Sequence, residues 1–283
     1  MGRRPTRLEL KRTALGVSVL HDIDLLPGEI GVTVVGEPDL HISYVECRKA
    51  IGNARPESDL ARLRLARRFL LRRWLASHTY DDLAERARPI GLPVDHVLHP
   101  GTDWVQERVL GDVLDLGLGI VGLEPGWPDT VVLVPPDVLD AAGLNATDWW
   151  WSARRYLDRM GAMASHRLDR DGPQAVLRPM GDCDVVTLLC SRIFRTSICV
   201  GTPSAMRAAV VPMRNRGWLD IVRIDPAFGP AAAAATTEIE RGFTRPLLIT
   251  ADEVVQTAAG GRPQVALADP APPRELFRPL LYR

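Results

Sequence analysis

The chain has 283 residues, 46% of them apolar and 25% charged, with 35 Lys and Arg balanced by 35 Asp and Glu. This is ordinary globular composition and excludes the disordered and fibrous regimes. No uncharged apolar run approaches the ~18 residues of a membrane span, so no membrane association is expected.

The zero balance conceals segregation. Residues 1–75 carry 14 basic against 9 acidic side chains, residues 76–152 carry 3 against 13, and residues 153–283 carry 18 against 13. Such blocks let both ends attract the middle, so internal charge matching within one body is the expected use. Only Lys11 and Lys49 are lysines; with the Ala-, Pro- and Gly-rich filler, this points to GC-rich bacterial coding. The basic start is followed by Ala14–Leu20, which His21, Asp22 and Asp24 cut short of a signal peptide. Cys47, Cys183, Cys190 and Cys199 show no C-x-x-C spacing and fit reduced cytosolic thiols. A soluble, cytoplasmic, bacterial protein is expected.

In chain order, Gly31–Gly36 and Leu40–Glu46 read as strands joined by a Gly-Glu-Pro-Asp turn. A helix covers about 57–76, with Ser58 or Asp59 as caps, and a shorter one covers Tyr80–Arg88. Residues 93–104 are loop-like, Val109–Leu123 is apolar and glycine-rich, and Thr130–Val134 is a β-branched run. Two βα-like units follow: Val131–Val134 into Asp137–Ala142 and Ala146–His166, then Thr196–Val200 into Ser204–Val211. Leu219–Ile224 and Leu247–Thr250 read as further strands. The alternation implies α/β or α+β: a mixed β-sheet with helices packed on it, in a single body or two closely packed lobes. The expected divisions are a basic N-terminal lobe over 1–105, an α/β core over 106–260 and a Pro-rich C-terminal arm over 261–283.

Gly117-Leu-Gly-Ile-Val-Gly122 matches the dinucleotide fingerprint, but Pro125 and Pro128 stand where its helix should begin. A buried strand needing close backbone approach is the better reading, and no cofactor is expected. On the 57–76 helix, Leu60, Leu63, Leu70, Leu71, Trp74 and Leu75 fill an arc of about 140°. Arg67 lies inside that arc and Arg64 on its flank, with Leu65, Phe69 and Ala76 opposite. The helix should therefore be covered on two faces, with Arg67 paired to Asp103, Glu107, Asp112 or Asp115. Spread around the wheel, the arginines Arg62, Arg64, Arg67, Arg68, Arg72 and Arg73 argue against a nucleic-acid partner. Leu83, Ala84, Ala87 and Gly91 have helix-turn-helix spacing, yet Arg88-Pro89-Ile90 occupies the tight turn.

The candidate anion site is the expected helix start at Gly201, Thr202 and Ser204, with Arg207 one turn inward. His96, His99 and Asp103 match no helical metal spacing, and no metal site is expected. Cys183 lies between Asp182 and Asp184, which would raise its pKa and oppose a nucleophilic role. Along the helix from Ala146, Trp149 falls on the core side, Trp150 at its margin and Trp151 on the polar side with Arg155. Trp151 and Arg155 are the candidate partner surface, unless the C-terminal arm covers them. The sequence names no reaction. It points to a non-catalytic protein that binds a partner, with two alternatives: an enzyme or small-ligand binder centred on Gly201–Ser204, and a nucleic-acid-binding protein using the Arg62–Arg73 helix.

Overall fold

A computed structural model describes residues 4–36, 39–78, 80–101, 104, 106–109, 113–123, 130–171, 176–200, 202, 204–220, 225 and 227–257. Among these residues are nine helices and twelve strands in three sheets, and the named strands pair antiparallel throughout. The result is a mixed α/β fold without a barrel, with helices against sheet as the alternation implied. The pairings place it on the α+β side.

Helix α1 (Arg7–His21) opens with a reciprocal cap: Thr6 Oγ1 accepts the Glu9 N–H, and the Glu9 carboxylate accepts the Thr6 N–H. The strands β1 (Leu25–Pro27), β2 (Gly31–Val34) and β3 (Leu40–Ser43) form a meander. The expected hairpin is present, although its turn residues Glu37 and Pro38 lie outside the described residues. β3 ends early because Ser43 caps α2 (Tyr44–Ile51) by accepting the Glu46 N–H. Helix α3 (Asp59–Ser77), capped by Ser58, is covered on two faces. Leu65, Ala66 and Phe69 join Leu10, Val32 and Ile42 in the N-terminal core. Leu71, Trp74 and Leu75 join a second core with Leu118, Ile120 and Trp149.

After α4 (Tyr80–Arg86) the chain enters a sheet of β4 (Ala87–Pro93), β5 (Glu107–Val109), β6 (Leu114–Val121) and β7 (Val131–Leu133). β6 is central, with β4 on one edge and β5 and β7 sharing the other. The sequence reading missed β4, which contains Pro89 and Pro93. Its outer edge explains the tolerance. The Gly91 N–H points away from β6 and donates to Thr187 Oγ1 at 2.9 Å. Pro89, two residues earlier, faces the same side, so its missing donor removes no ladder bond. The expected boundary near residue 105 falls inside this sheet, since β4 precedes it and β6 follows. The glycine run is a buried strand: a Cβ would lie 2.4 Å from the Trp104 ring at Gly117 and 2.5 Å from Val131 at Gly119.

The remainder comprises α5 (Pro136–Ala141), α6 (Ala146–Asp171), β8 (Val176–Leu177), α7 (Val185–Leu188), α8 (Arg192–Cys199), β9 (Met206–Met213), β10 (Arg216–Leu219), α9 (Phe228–Ala235), β11 (Leu247–Thr250) and β12 (Val254–Gln256). The third sheet has the order β12-β11-β9-β10-β8. Helix α6 bridges two cores. Trp149 and Ala153 pack with Leu118 and Val132, while Leu157, Ala164 and Leu168 pack with Ala209, Val211 and Leu247. The expected βα unit at 196–211 is corrected: its first half is helix α8 and its second half is strand β9. Among the described residues, no helix is long and apolar enough to cross a membrane. The expected C-terminal arm, 261–283, lies outside the described residues.

Candidate functional site

The inversion at 196–211 removes the basis of the expected anion site. Thr202 and Ser204 follow the C-terminal end of α8, where exposed carbonyls present partial negative charge. Thr202 Oγ1 donates to the Cys199 carbonyl at 2.8 Å, and Ser204 Oγ donates to the Met206 carbonyl at 3.2 Å. Arg207 lies on β9, ion-paired to Asp220 at 2.9 Å and donating to the Ile198 carbonyl at 3.3 Å. It thus caps a helix end and is not a free anion receptor. Gly201 lies outside the described residues.

Cations gather elsewhere. A cavity of about 290 Å3 opens between α2 and α3 on one side and β7 and α5 on the other. Lys49, Arg64, Arg67 and Arg68 enter from the two helices. Arg68 is buried and matched, with Asp137 at 3.1 Å and Glu46 at 3.7 Å. Arg64 is different. Its guanidinium donates to the carbonyls of Ile51 (2.8 Å) and Val97, and no carboxylate among the described residues pairs with it. Burial lowers its pKa from the ordinary arginine value, the mark of a cation partly removed from water. Gly52 has φ +60° and stands so close that a Cβ would lie 3.0 Å from the Arg64 guanidinium. Exposed Lys49 likewise has no ion pair among the described residues. The opposite wall is apolar at Leu133, Pro135 and Pro136 and carries Asp137, the partner of Arg68, with Leu98, Pro100 and Trp104 at the end.

Two of the four acids expected to pair with Arg67 are engaged by other residues. Asp115 is fully buried between Arg108 (3.1 Å) and His99 (3.0 Å), and Glu107 meets Arg154 at 3.5 Å. Asp103 and Asp112 lie outside the described residues. Arg67 lines both this cleft and a second cavity of about 330 Å3, where Asp182, Asp184, Arg214 and Glu240 gather. Both aspartates have partners. Asp182 accepts from Arg88 (2.5 Å) and Tyr156 (3.1 Å); Asp184 accepts from Arg214 (2.6 Å) and the Thr187 N–H (2.7 Å).

The remaining chemical candidates are committed. The Cys183 thiol is fully buried and its pKa is raised, first by burial and then by Asp184 and Asp182. Burial therefore outranks the flanking acids that the sequence pointed to. His96 Nδ1 accepts the Leu98 N–H at 3.1 Å, leaving Nε2 to donate to the Ile239 carbonyl at 3.2 Å. His99 accepts the Gly101 N–H at Nδ1 and donates to Asp115 from Nε2. Among the described residues, no group of three or more His, Cys, Asp and Glu side chains could hold a metal ion.

On α6 the three tryptophans divide by face. Trp149 is fully buried, Trp150 packs at the edge of two cores, and Trp151 is 65% exposed beside exposed Arg155. The sequence signal missed for the cleft was the pair Arg64 and Arg67 on an apolar arc. It showed cations in a place without water, but not that β7 and α5 would leave a cavity there. Compared with family models, curated proteins and solved structures, the chain matches none.

Proposed function

We propose that this chain is a binding protein whose ligand is a small anion held in the cleft between α2–α3 and β7–α5. One observation carries the reading: Arg64 is partly desolvated, has no carboxylate partner among the described residues, and shares a cavity with Lys49 and Arg67. A cation in this position has lost part of its hydration without gaining a counter-charge from the described residues. A bound anion supplies that charge, and each charge-assisted hydrogen bond contributes about 1.5–3 kcal/mol. The Arg68–Asp137 pair keeps the adjoining wall neutral and ordered.

Thermal unfolding with added sodium acetate, phosphate and benzoate, at matched ionic strength, tests the reading. At least one anion should raise Tm in proportion to the logarithm of its concentration, with the gain reduced in Lys49→Met. Equal Tm values across all of them, up to tens of millimolar, would overturn it.

A second reading is a protein partner docking on Trp151 and Arg155, favoured by an indole left 65% exposed on a helix. The four free, buried cysteines support a reducing compartment such as the bacterial cytoplasm for either role.

A further inference from the structure

We infer that the cleft selects an aromatic or cyclic monocarboxylate over a phosphate or a simple inorganic anion. This rests on the anion-binding reading above and adds the class of molecule. The carrying feature is the sidedness of the cavity. Every basic side chain among its described lining residues comes from α2 or α3, whereas the facing wall is Val132, Leu133, Pro135 and Pro136, with the one described carboxylate there, Asp137, taken up by Arg68. A ligand filling it must present a charge to one side and hydrocarbon to the other.

Two further observations narrow the head group. Sites for phosphate recruit backbone N–H groups, commonly at a helix start, beside their cations. The helix start in this wall is that of α5, with Pro135 as its cap and Pro136 as its first residue. Neither has an N–H to donate. The N–H that remains at that helix start belongs to Asp137, beside its own carboxylate, so the cationic donors are the side chains of α2 and α3, and the guanidinium fork suits the two coplanar oxygens of a carboxylate. Arg64 already gives N–H groups to two carbonyls, which fixes its plane before any ligand arrives.

Size sets the body. The cavity of about 290 Å3 is close to twice the ~150 Å3 that accommodates benzene. One ring plus a carboxylate and a short linker fits; a nucleotide does not. Leu98 and Trp104 at the end of the cavity, both buried, offer the ring a dry surface.

Calorimetric titration of the whole chain with benzoate, acetate, inorganic phosphate and uncharged benzamide separates the possibilities. Benzoate should bind at least tenfold more tightly than each of the other three. Lys49→Met, a change at an exposed side chain, should weaken benzoate severalfold, and Arg64→Lys should weaken it tenfold or more. Circular dichroism of each variant checks that the fold is retained. If acetate or phosphate binds as tightly as benzoate, the anion reading stands and the ligand class is wrong. If benzamide equals benzoate, the cavity is a neutral apolar pocket and the inference falls. If none binds, both statements fall.

Discussion

His96 is a buried imidazole with both nitrogens engaged, one accepting and one donating, which only the neutral ring can do. Burial, with a smaller contribution from nearby Arg214, pushes its pKa from 6.5 down to about 4. The unfolded chain therefore takes up a proton between about pH 6.5 and 4 that the folded chain refuses. Stability is undiminished above pH 6.5 and falls as the pH drops through that window, by up to about 3 kcal/mol from this group. Urea midpoints of wild type and His96→Asn, measured from pH 7.5 to 4.5, should diverge. The variant keeps an acceptor for Leu98 but cannot titrate, so parallel profiles would exclude His96 as the source. Arg68 poses the complementary case of a buried charge held by acids. Arg68→Met should cost about 2 kcal/mol in chemical unfolding. That is less than the ~3–5 kcal/mol of a fully buried pair, because Asp137 is partly exposed and Glu46 retains Arg72 at 3.6 Å.

At the level of elements, legibility followed how far a segment's local preference agreed with its packing. Helices α3 and α6 could be read because capping and periodicity agree, and strand β11 because its β-branched and apolar residues fit its paired position. Helix α8 could not. Its sequence RIFRTSIC carries Ile193, Thr196 and Ile198, which favour strands, yet Ser191 caps it and Phe194 and Ile198 bury one face in the core. Strand β9, beginning MRAAV, has the alanines of a helix but is paired on both sides. The candidate site was misplaced for this reason, since reversing helix and strand exchanges a donor-rich helix start for a carbonyl-rich end. The glycine run on β6 was read from context, and it carries its own test. Gly117→Ala drives a Cβ into the buried Trp104 ring and should lower stability by about 2 kcal/mol or more in urea unfolding. A change below 0.5 kcal/mol would mean that the ring has room to move. On α6, replacing Trp151 by Phe should remove a red-shifted, iodide-quenchable part of the fluorescence. Unchanged quenching would show the indole to be covered in solution.

Across the whole molecule, the charge blocks are partly spent on one another. Arg68 of the first block meets Asp137 of the second, Glu107 of the second meets Arg154 of the third, and Arg88 reaches across to Asp182. Among the described residues, this matching lapses in the cleft, at Arg64 and Lys49. The pairings also bind the segments mechanically, as does α3, which supplies side chains to two cores. A cut at residue 105 would leave Leu71, Trp74 and Leu75 without the β6 and α6 side chains that cover them. It would also leave β4 without the strand against which Ile90 and Leu92 are buried. Expressed alone, residues 1–105 should therefore bind a hydrophobic dye and unfold without a sharp transition. The full chain should show coincident transitions by fluorescence and far-ultraviolet circular dichroism. A fragment that unfolds sharply and ignores the dye would establish an independent N-terminal domain. The cleft, built from α2–α3 on one side of the cut and β7–α5 on the other, would then be a site between domains, open to gating by their separation.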